Sequence, residues 1–324
     1  MKLPKVDPYV LALLATVTLA SIFPVRGETA AYVATAAKLV VGFLFFLHGA
    51  KLSREAVISG ITHWRLHLTV LSISFVLFPI LGLLITLTPE AILPKSMSVG
   101  ILFLCCLPST VQASIAFTSI ARGNVAAAVC SASASNLFAM VATPALVGLL
   151  MHVQGAGLGW EAVQAILVQL LLPFIAGQLL RPWLIGLLQK HSRIIGVVDR
   201  GSVLIVVYSA FSAAVAGGVW SRIAIPALIA TAVVCAVLLA VVLIATRAIA
   251  QGLKFDKADE ITIVFCGSKK SLVTGAPMAA ILFAPAVAGL MIIPLMLFHQ
   301  MQLMACAVIA QKYAGRPNPE SGTT

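Results

Sequence analysis

The chain has 324 residues, of which 61% are hydrophobic and only 10% charged, and its formal net charge is +11. A soluble domain carries about 25% charged residues, so this composition excludes a soluble globular protein and indicates an all-α protein embedded in a lipid bilayer. The apolar stretches are too long and unbroken for the alternating pattern of an outer-membrane barrel. Most basic residues lie between the apolar stretches, so the positive charge indicates membrane topology and not nucleic-acid binding.

The chain has room for ten membrane-spanning helices, since each crossing needs about 20 residues. The first five are predicted at about residues 9–25, 31–50, 64–87, 99–121 and 125–151. Pro79 predicts a kink in the third helix. Residues 107–110, Leu-Pro-Ser-Thr, are predicted to interrupt the fourth helix.

A glycine-rich connection at residues 154–159 divides the chain near its middle. The last five helices are predicted at about residues 162–180, 202–219, 224–249, 261–283 and 286–311. Residues 265–272, Phe-Cys-Gly-Ser-Lys-Lys-Ser-Leu, are predicted to interrupt the ninth helix. The segment 314–324 is predicted to be a flexible tail.

Each half of the chain thus holds five crossings, with an interrupted fourth helix and a proline, Pro144 or Pro294, in the fifth. An odd number of crossings starts the second half from the opposite side of the membrane. The sequence therefore predicts two inverted five-helix repeats, residues 1–157 and 158–313. Paired interruptions in two inverted repeats are typical of a transporter's binding site.

The basic residues also predict the orientation. With a cytoplasmic N-terminus, 15 of the 21 lysines and arginines fall on the inner side and 4 on the outer side, while Lys269 and Lys270 lie at mid-span. Positive charge is retained on the cytoplasmic side. We therefore expect a multi-pass protein of the bacterial inner membrane with both termini in the cytoplasm.

Lys269 and Lys270 are the most informative residues, because a lysine in the middle of a membrane span costs roughly 3 kcal/mol on insertion scales. A broken helix with fixed positive charge favours an anion-binding site beside a cavity. Adjacent helical positions diverge by about 100°, so we expect one lysine to face the cavity and polar groups to hold the other. The alternative is that both only join two crossing helices.

Other polar residues of the interrupted helices are candidates for substrate binding. Ser109 and Thr110 could cap the second half of the fourth helix, and Ser268 or Ser271 that of the ninth, so that two helix N-termini point at one region. The alternative is capping without a ligand. His299 and Gln300 in the tenth helix are further candidates.

A second set of polar residues could bind a coupling ion, although small residues at such positions also serve close helix packing. The set comprises Gln112, Ser114, Ser131, Ser135 and Asn136. The six cysteines lie in apolar stretches without metal-ligand spacing. No metal site or organic cofactor is predicted.

Three features together resemble the bile acid:sodium symporter family, namely the pair of broken helices, the turn at residues 121–126 and the pair His299-Gln300. Within that family, the strings at 257–260 and 265–272 are similar to the bacterial SBF-like branch, which is related to the seventh vertebrate bile-acid carrier. The resemblance covers nearly the whole chain. It implies a panel of helices one, two, six and seven, a core of the other six, and an amphipathic organic anion bound between them and moved by alternating access.

The same resemblance implies two sodium sites, and here the sequence departs from the family pattern. Phe265 stands at the position of a family glutamate, Lys269 at that of a glutamine, and Lys270 at that of an asparagine. Ser114 keeps a ligand position, but three positions that need oxygen are apolar, namely Ile115, Ala128 and Ala132. We infer that a tethered ammonium replaces at least one cation.

Three coupling schemes stay open at this point. Transport could be coupled to protons through a lysine, because burial disfavours the charged form of lysine. Coupling could also be absent, or a displaced sodium site could be built by Ser131, Ser133, Ser135 and Asn136.

The sequence disfavours two other classes of protein. An intramembrane enzyme is disfavoured because no catalytic motif lies at membrane depth, and a membrane sensor because no loop is long enough for an output module.

Overall fold

The computed structural model describes residues 8–51, 63–151, 167–218 and 224–316. Within these ranges the secondary structure is helical and no β-strand occurs, which confirms the predicted all-α class. In chain order the α-helices are α1 (Pro8–Ile22), α2 (Gly27–Lys51), α3 (Trp64–Ser72), α4 (Phe78–Thr86), α5 (Lys95–Cys105), α6 (Val111–Ile120), α7 (Val125–Leu150), α8 (Leu172–Lys190), α9 (Ser192–Ala216), α10 (Ile225–Gly252), α11 (Lys257–Gly267), α12 (Leu272–Leu282) and α13 (Pro285–Ala314).

Seven helical stretches of 23 to 30 residues are long and apolar enough to cross a membrane. At 1.5 Å per residue such stretches exceed the roughly 30 Å of a bilayer's hydrocarbon layer. They are α2, α3 continued through α4, α7, Val168–Lys190, α9, α10 and α13. The chain is therefore a multi-pass membrane protein.

Both predicted interruptions are present. Helix α5 ends at Cys105 and α6 begins at Val111, while α11 ends at Gly267 and α12 begins at Leu272. Pro108 contributes to the first break, because proline lacks an N–H and disfavours helical backbone in the residue before it. The two breaks meet, since the Ser271 N–H donates to the Pro108 carbonyl at 2.9 Å.

Pro79 distorts the third crossing as a π-helical turn and not as an isolated bend. The turn, Ile73–Leu77, joins α3 to α4, and the Phe78 N–H bonds to the Ile73 carbonyl five residues earlier. The next donor in that register would be Pro79, which has no N–H. The Ser74 carbonyl is thereby left without the backbone donor that the π turn would supply.

The helices pack as two groups. Helices α1, α2, α8 and α9 contact one another, whereas α5 packs on α4 and α13, and α6 packs on α7, α11 and α13. Helix α9 also lies along α13, so it joins the two groups. Both interrupted helices lie in the second group.

Helices α2 and α8 cross at two glycines that permit an unusually close approach. A Cβ on Gly49 would lie 2.0 Å from the Phe174 carbonyl oxygen, and one on Gly177 would lie 2.0 Å from the Phe46 carbonyl oxygen. Gly49 thus faces the backbone three residues before Gly177, and Gly177 faces the backbone three residues before Gly49. Small residues at such contacts let helix backbones approach, which drives helix association in membranes.

Some predicted features lie outside the described residues. They are the glycine-rich connection at 154–159, the repeat boundary at 157, most of the C-terminal tail, and the basic residues Lys2, Lys5, Arg54 and Arg222.

Gly49→Ala and Gly177→Ala are expected to destabilise the protein. Each added methyl group would overlap a backbone carbonyl that cannot rotate away, and overpacking costs about 1–3 kcal/mol or more. The apparent melting temperature of the purified protein in detergent, followed by size-exclusion chromatography after heating, should fall for both variants.

The matched control is Gly186→Ala in α8, where an added Cβ has no heavy atom within 4 Å. This variant should melt at the wild-type temperature or slightly above it, since alanine favours helix by about 1 kcal/mol over glycine. Equal melting of all three variants would contradict the close crossing.

Candidate functional site

The ammonium of Lys270 joins three separate segments of backbone. Its side chain is fully buried, and Nζ donates to three carbonyls, those of Ser74 at 2.9 Å, Cys105 at 2.9 Å and Leu107 at 2.7 Å. The Phe78 ring lies 4.0 Å from the same nitrogen. Three accepting carbonyls require three N–H groups, which only the ammonium form of lysine possesses. The geometry therefore fits a charged Lys270 with every donor used.

Two of these carbonyls are available because the sequence leaves them without a helical partner. The last four carbonyls of an α-helix have no N–H donor within that helix, and Cys105 is the last residue of α5. Ser74 is released by Pro79, as described above. Pro79 in the third crossing thus leaves the Ser74 carbonyl free, and the break after α5 leaves the Cys105 carbonyl free. Both carbonyls then accept from Lys270 at the break between α11 and α12.

The remaining carbonyls of the first break also have donors. Thr143 Oγ1 donates to Cys106 at 2.7 Å, the Ser271 N–H to Pro108 at 2.9 Å, and Asn136 Nδ2 to Ser109 at 2.8 Å. Backbone polar groups at membrane depth must be satisfied inside the protein. Together with Lys270, these donors satisfy five successive carbonyls, from Cys105 to Ser109.

Gln302 fixes the backbone of Lys270. Its Oε1 accepts from the Lys270 N–H at 2.8 Å, and its Nε2 donates to the Lys270 carbonyl at 2.8 Å. His299, one turn away on the same face of α13, has Nδ1 at 2.9 Å from Gln302 Nε2. Sequence reasoning selected His299 and Gln300 and missed Gln302. The i, i+3 spacing from His299 was the available signal, whereas Gln300 is half-buried and lies on another face.

Lys269 is held differently. Its side chain is fully buried, and Nζ donates to the Ala113 carbonyl at 3.2 Å and lies 4.3 Å and 4.8 Å from the ring centroids of Phe117 and Phe265. Aromatic faces attract cations. The expectation that one lysine faces the cavity is therefore wrong, because carbonyls and rings inside the protein enclose both ammonium groups.

The serines at the second break divide into one cap and one bond within α11. Ser271 caps α12 as predicted, since its Oγ accepts from the Thr274 N–H at 3.1 Å. Ser268 does not cap it, because its hydroxyl donates to the Val264 carbonyl at 2.6 Å in the last turn of α11. The Thr274 hydroxyl in turn donates to Asn136 Oδ1 at 2.8 Å, which ties α12 to α7.

Neither predicted cap of α6 accepts from its backbone. Thr110 occupies the N-cap position, but its side chain caps no N–H. The hydroxyls of Thr110 and Ser109 each lie 3.3 Å from Ser114 Oγ. The first turn of α6 therefore keeps backbone N–H groups for another partner.

Four of the five predicted ion ligands, namely Ser114, Ser131, Ser135 and Asn136, form hydrogen bonds within the protein. Ser114 Oγ donates to the Phe265 carbonyl at 3.0 Å, which is the position where the family resemblance implies a glutamate. Ser131 Oγ lies 2.7 Å from His67 Nδ1, and Ser135 Oγ accepts from the Ser109 N–H at 3.1 Å. The Lys269 ammonium lies beside the Ser114–Phe265 bond with the rings of Phe117 and Phe265 around it. Sodium would need several hard oxygen ligands in their place. The residues present do not fit the sodium sites that the resemblance implies.

A cavity of about 560 Å³ lies between the two helix groups, beside the breaks. Six predicted site residues contribute to its wall, namely Thr110, Gln112, Ser133, Asn136, Ser271 and His299. The first group contributes, among others, Phe45, Lys51, Phe174 and Arg200. No aspartate or glutamate occurs among the described lining residues. The remaining predicted site residues are not part of the wall: Ser109, Ser114, Ser131, Ser135, Ser268, Lys269, Lys270 and Gln300.

The two motifs at 121–126 and 257–260 meet at one end of the interrupted helices. Asn124 caps α7 by accepting from the Ala127 N–H, and its Nδ2 donates to Asp259 Oδ1 at 2.9 Å. The Thr262 hydroxyl donates to the Asn124 carbonyl at 3.0 Å. The turn after one interrupted helix is thus bonded to the start of the other.

Two discontinuous helices whose breaks meet beside a cavity, in a multi-pass membrane protein, define the class of secondary transporters built on broken helices. The chain belongs to the SBF-like CPA transporter family, which it matches over residues 7–315. This match confirms the resemblance to bile acid:sodium symporters.

Relatives from bacteria and vertebrates agree with this assignment. A putative symporter of Escherichia coli, YfeH, is 52% identical over 97% of this chain and 95% of its own length. An uncharacterised protein of Pseudomonas aeruginosa is 54% identical over 96% and 93%. Mouse sodium/bile acid cotransporter 7 is 26% identical over 85% and 82%.

Lys270→Met is expected to destabilise the protein more than Lys269→Met. Methionine has similar length but no donor, so it would leave three buried carbonyls without a partner in the first variant and one in the second. An unsatisfied buried group costs about 1–3 kcal/mol. The melting temperatures of both variants in one detergent would test this order. Equal or reversed decreases in melting temperature would contradict the three hydrogen bonds from Lys270 to backbone carbonyls.

Proposed function

We propose that this protein is a secondary active transporter that moves a small organic anion across the bacterial plasma membrane by alternating access. The observation that carries the proposal is the cavity between the two helix groups, which adjoins both helix breaks and has basic but no acidic residues among its described lining. A cavity with mostly apolar walls and a few polar groups suits a small amphipathic molecule. The basic residues in the cavity lining favour a substrate with a negative charge.

The proposal includes a fold of ten crossings in two inverted repeats. If α3 with α4, α5 with α6, and α11 with α12 each count as one crossing, the interrupted helices are the fourth and the ninth. Helices α7 and α13, which follow them, each contain an internal proline, Pro144 or Pro294. Five crossings in each half would place the two breaks in inverted orientation at the same depth.

The moving parts are proposed to be the two packing groups. Helices α1, α2, α8 and α9 would form the panel, and the helices that hold both breaks would form the core. The cavity lies between them, so a relative displacement would open it to either side of the membrane. The polar bonds within the core would be kept during this motion, because they join core helices to one another.

Lys269 and Lys270 are proposed to replace a coupling cation. Lys270 Nζ donates to three carbonyl oxygens at 2.7–2.9 Å, which are the kind of oxygen ligands that a bound metal cation would use. Because the ammonium is covalently attached, it stays with the protein during the transport cycle. This protein would then move its substrate without sodium, although the name of its mouse relative, sodium/bile acid cotransporter 7, includes sodium.

One observation favours protons over sodium as the coupling ion. Lys269 Nζ has one carbonyl acceptor, at Ala113, and a neutral amine still has two N–H groups for it. Lys269 could therefore lose a proton without breaking its hydrogen bond, whereas Lys270 could not. We propose Lys269 as the group that titrates if transport is coupled to protons.

The orientation follows from the charge distribution. Both termini are proposed to lie in the cytoplasm, which the bias of 15 basic residues against 4 supports. The bacterial origin of the two relatives above 50% identity supports the plasma membrane as the location.

The function is tested in proteoliposomes with a panel of labelled amphipathic carboxylates and sulfonates. Under the proposal, uptake of at least one anion is unchanged when sodium is replaced by choline on both sides. Lys269→Ala should abolish any stimulation by an imposed proton gradient. Lys190→Ala is the control, because this exposed lysine in α8 lies outside the cavity wall.

Two results would contradict this mechanism. Uptake that collapses without sodium and survives both Lys269→Ala and Lys270→Ala would show that the lysines do not replace the cation. The absence of uptake for every anion, in protein shown to be folded, would contradict the proposed substrate class.

A further inference from the structure

Three basic residues gather around one carboxylate where α10 and α13 end and α11 begins. Glu260 Oε1 lies 2.6 Å from Lys257 Nζ and 3.8 Å from Arg247 Nε, and it accepts from the Tyr313 hydroxyl at 3.2 Å. Arg247 and Arg316 both lie close enough to that hydroxyl to interact with it electrostatically. We call Arg247, Lys257 and Arg316 the basic cluster.

The basic cluster carries more positive charge than the carboxylates beside it neutralise. Among the described residues, Glu260 is the only carboxylate within 4 Å of a nitrogen of the cluster. The carboxylates of Asp256 and Asp259 have other partners, since the first accepts from a backbone N–H of α11 and the second from Asn124 Nδ2. Three cations around one paired carboxylate favour an anionic partner.

Arg316 contributes a guanidinium that is held in place but not fully bonded. Its Nη2 donates to the Arg122 carbonyl at 2.8 Å, which fixes the side chain against the turn between α6 and α7. Its Nη1 is buried and has no hydrogen-bond partner among the described residues. Buried polar groups are almost always paired in native proteins, so Arg316 has bonding capacity for a partner outside the chain.

The basic cluster lies at the end of an apolar helix face that is exposed to lipid. Val237, Val241 and Ile244 of α10 are exposed and recur every three or four residues, so they share one face with Arg247. The ten residues from Val237 to Arg247 span about 15 Å, which is half of a hydrocarbon layer of roughly 30 Å. Helix α13, which packs on α10, ends at the same cluster.

We propose that the basic cluster binds the phosphate of an anionic phospholipid whose acyl chains lie along the exposed face of α10. Arginine suits this ligand because its planar guanidinium forms paired hydrogen bonds to phosphate oxygens. Basic clusters at the cytoplasmic ends of membrane helices bind anionic headgroups, and this end is the one proposed to be cytoplasmic. The apolar face favours a lipid over free phosphate, which would leave that face unused.

This lipid site is separate from the cavity between the two helix groups. None of the three cluster residues belongs to the cavity wall. A phosphate bonded to Arg247 and Arg316 would connect the end of α10 to the end of α13, and both helices belong to the group that holds the breaks. The site therefore does not depend on which molecule the cavity takes up.

The affinity for lipid can be measured by native mass spectrometry of the full chain in detergent. The protein is titrated with dioleoylphosphatidylglycerol or with dioleoylphosphatidylcholine, which has the same acyl chains and a phosphate whose charge the choline balances. Phosphatidylglycerol should bind more than about tenfold tighter, because an excess of two basic residues acts on a net anion. Inorganic phosphate in excess should not displace it, since it makes no contact with the apolar face.

Arg247→Gln and Arg316→Gln should each weaken phosphatidylglycerol binding about fivefold, the effect of one basic residue near an anionic headgroup. Arg247→Gln is the milder change, because its side chain is 60% exposed and Lys257 and Tyr313 still bond to Glu260 without it. The control is Lys190→Gln at the end of α8, which also removes an exposed basic residue. It should leave the affinities for both lipids unchanged.

Four results would overturn the lipid site. They are equal affinities for the two lipids, a phosphatidylglycerol affinity that neither arginine variant changes, an equal loss of affinity in Lys190→Gln, and displacement of the lipid by inorganic phosphate. The third result would indicate general attraction to positive charge. The fourth would assign the basic cluster to free phosphate.

Discussion

The structure depends on how the chain satisfies backbone carbonyls at a helix break inside a membrane. Water supplies no donors at that depth, so each free carbonyl costs several kcal/mol unless the protein provides a partner. Lys270 has three N–H groups on its side chain, and all of them donate to carbonyls of the third and fourth crossings. One buried charge thereby holds together three segments that are distant in sequence. Gln302 holds the backbone of the same residue in place.

The second lysine shows that two adjacent residues of one type can have different roles. Lys269 has one carbonyl and two aromatic faces around its ammonium, an environment that tolerates a cation without using every donor. Within the described part of the chain, no carboxylate pairs with either ammonium. Carbonyl dipoles and aromatic rings therefore take the place of counterions, and backbone carbonyls likewise coordinate ions at broken helices in transporters.

The basic side chains at the crossover and those at the cavity wall have different surroundings. The ammonium groups at the crossover are fully enclosed, whereas Lys51 and Arg200 lie exposed at the cavity wall. The Lys270 ammonium has no N–H group left for another partner, since each one already donates to a carbonyl. The helices that carry these side chains also differ, since the crossover belongs to one packing group and Lys51 and Arg200 to the other.

The sequence by itself determined the class of protein, the positions of both helix breaks and the distortion at Pro79, and it limited the predicted cap of α12 to Ser268 or Ser271. These features depend on composition and on local backbone chemistry, namely the missing N–H of proline and the orphan groups at helix ends. Only the tertiary structure decided the direction of the two lysine side chains, the role of Gln302 and the close crossing at Gly49 and Gly177. Each of these depends on which carbonyl or helix lies opposite, and residues far apart in the chain set that position, beyond the reach of periodicity.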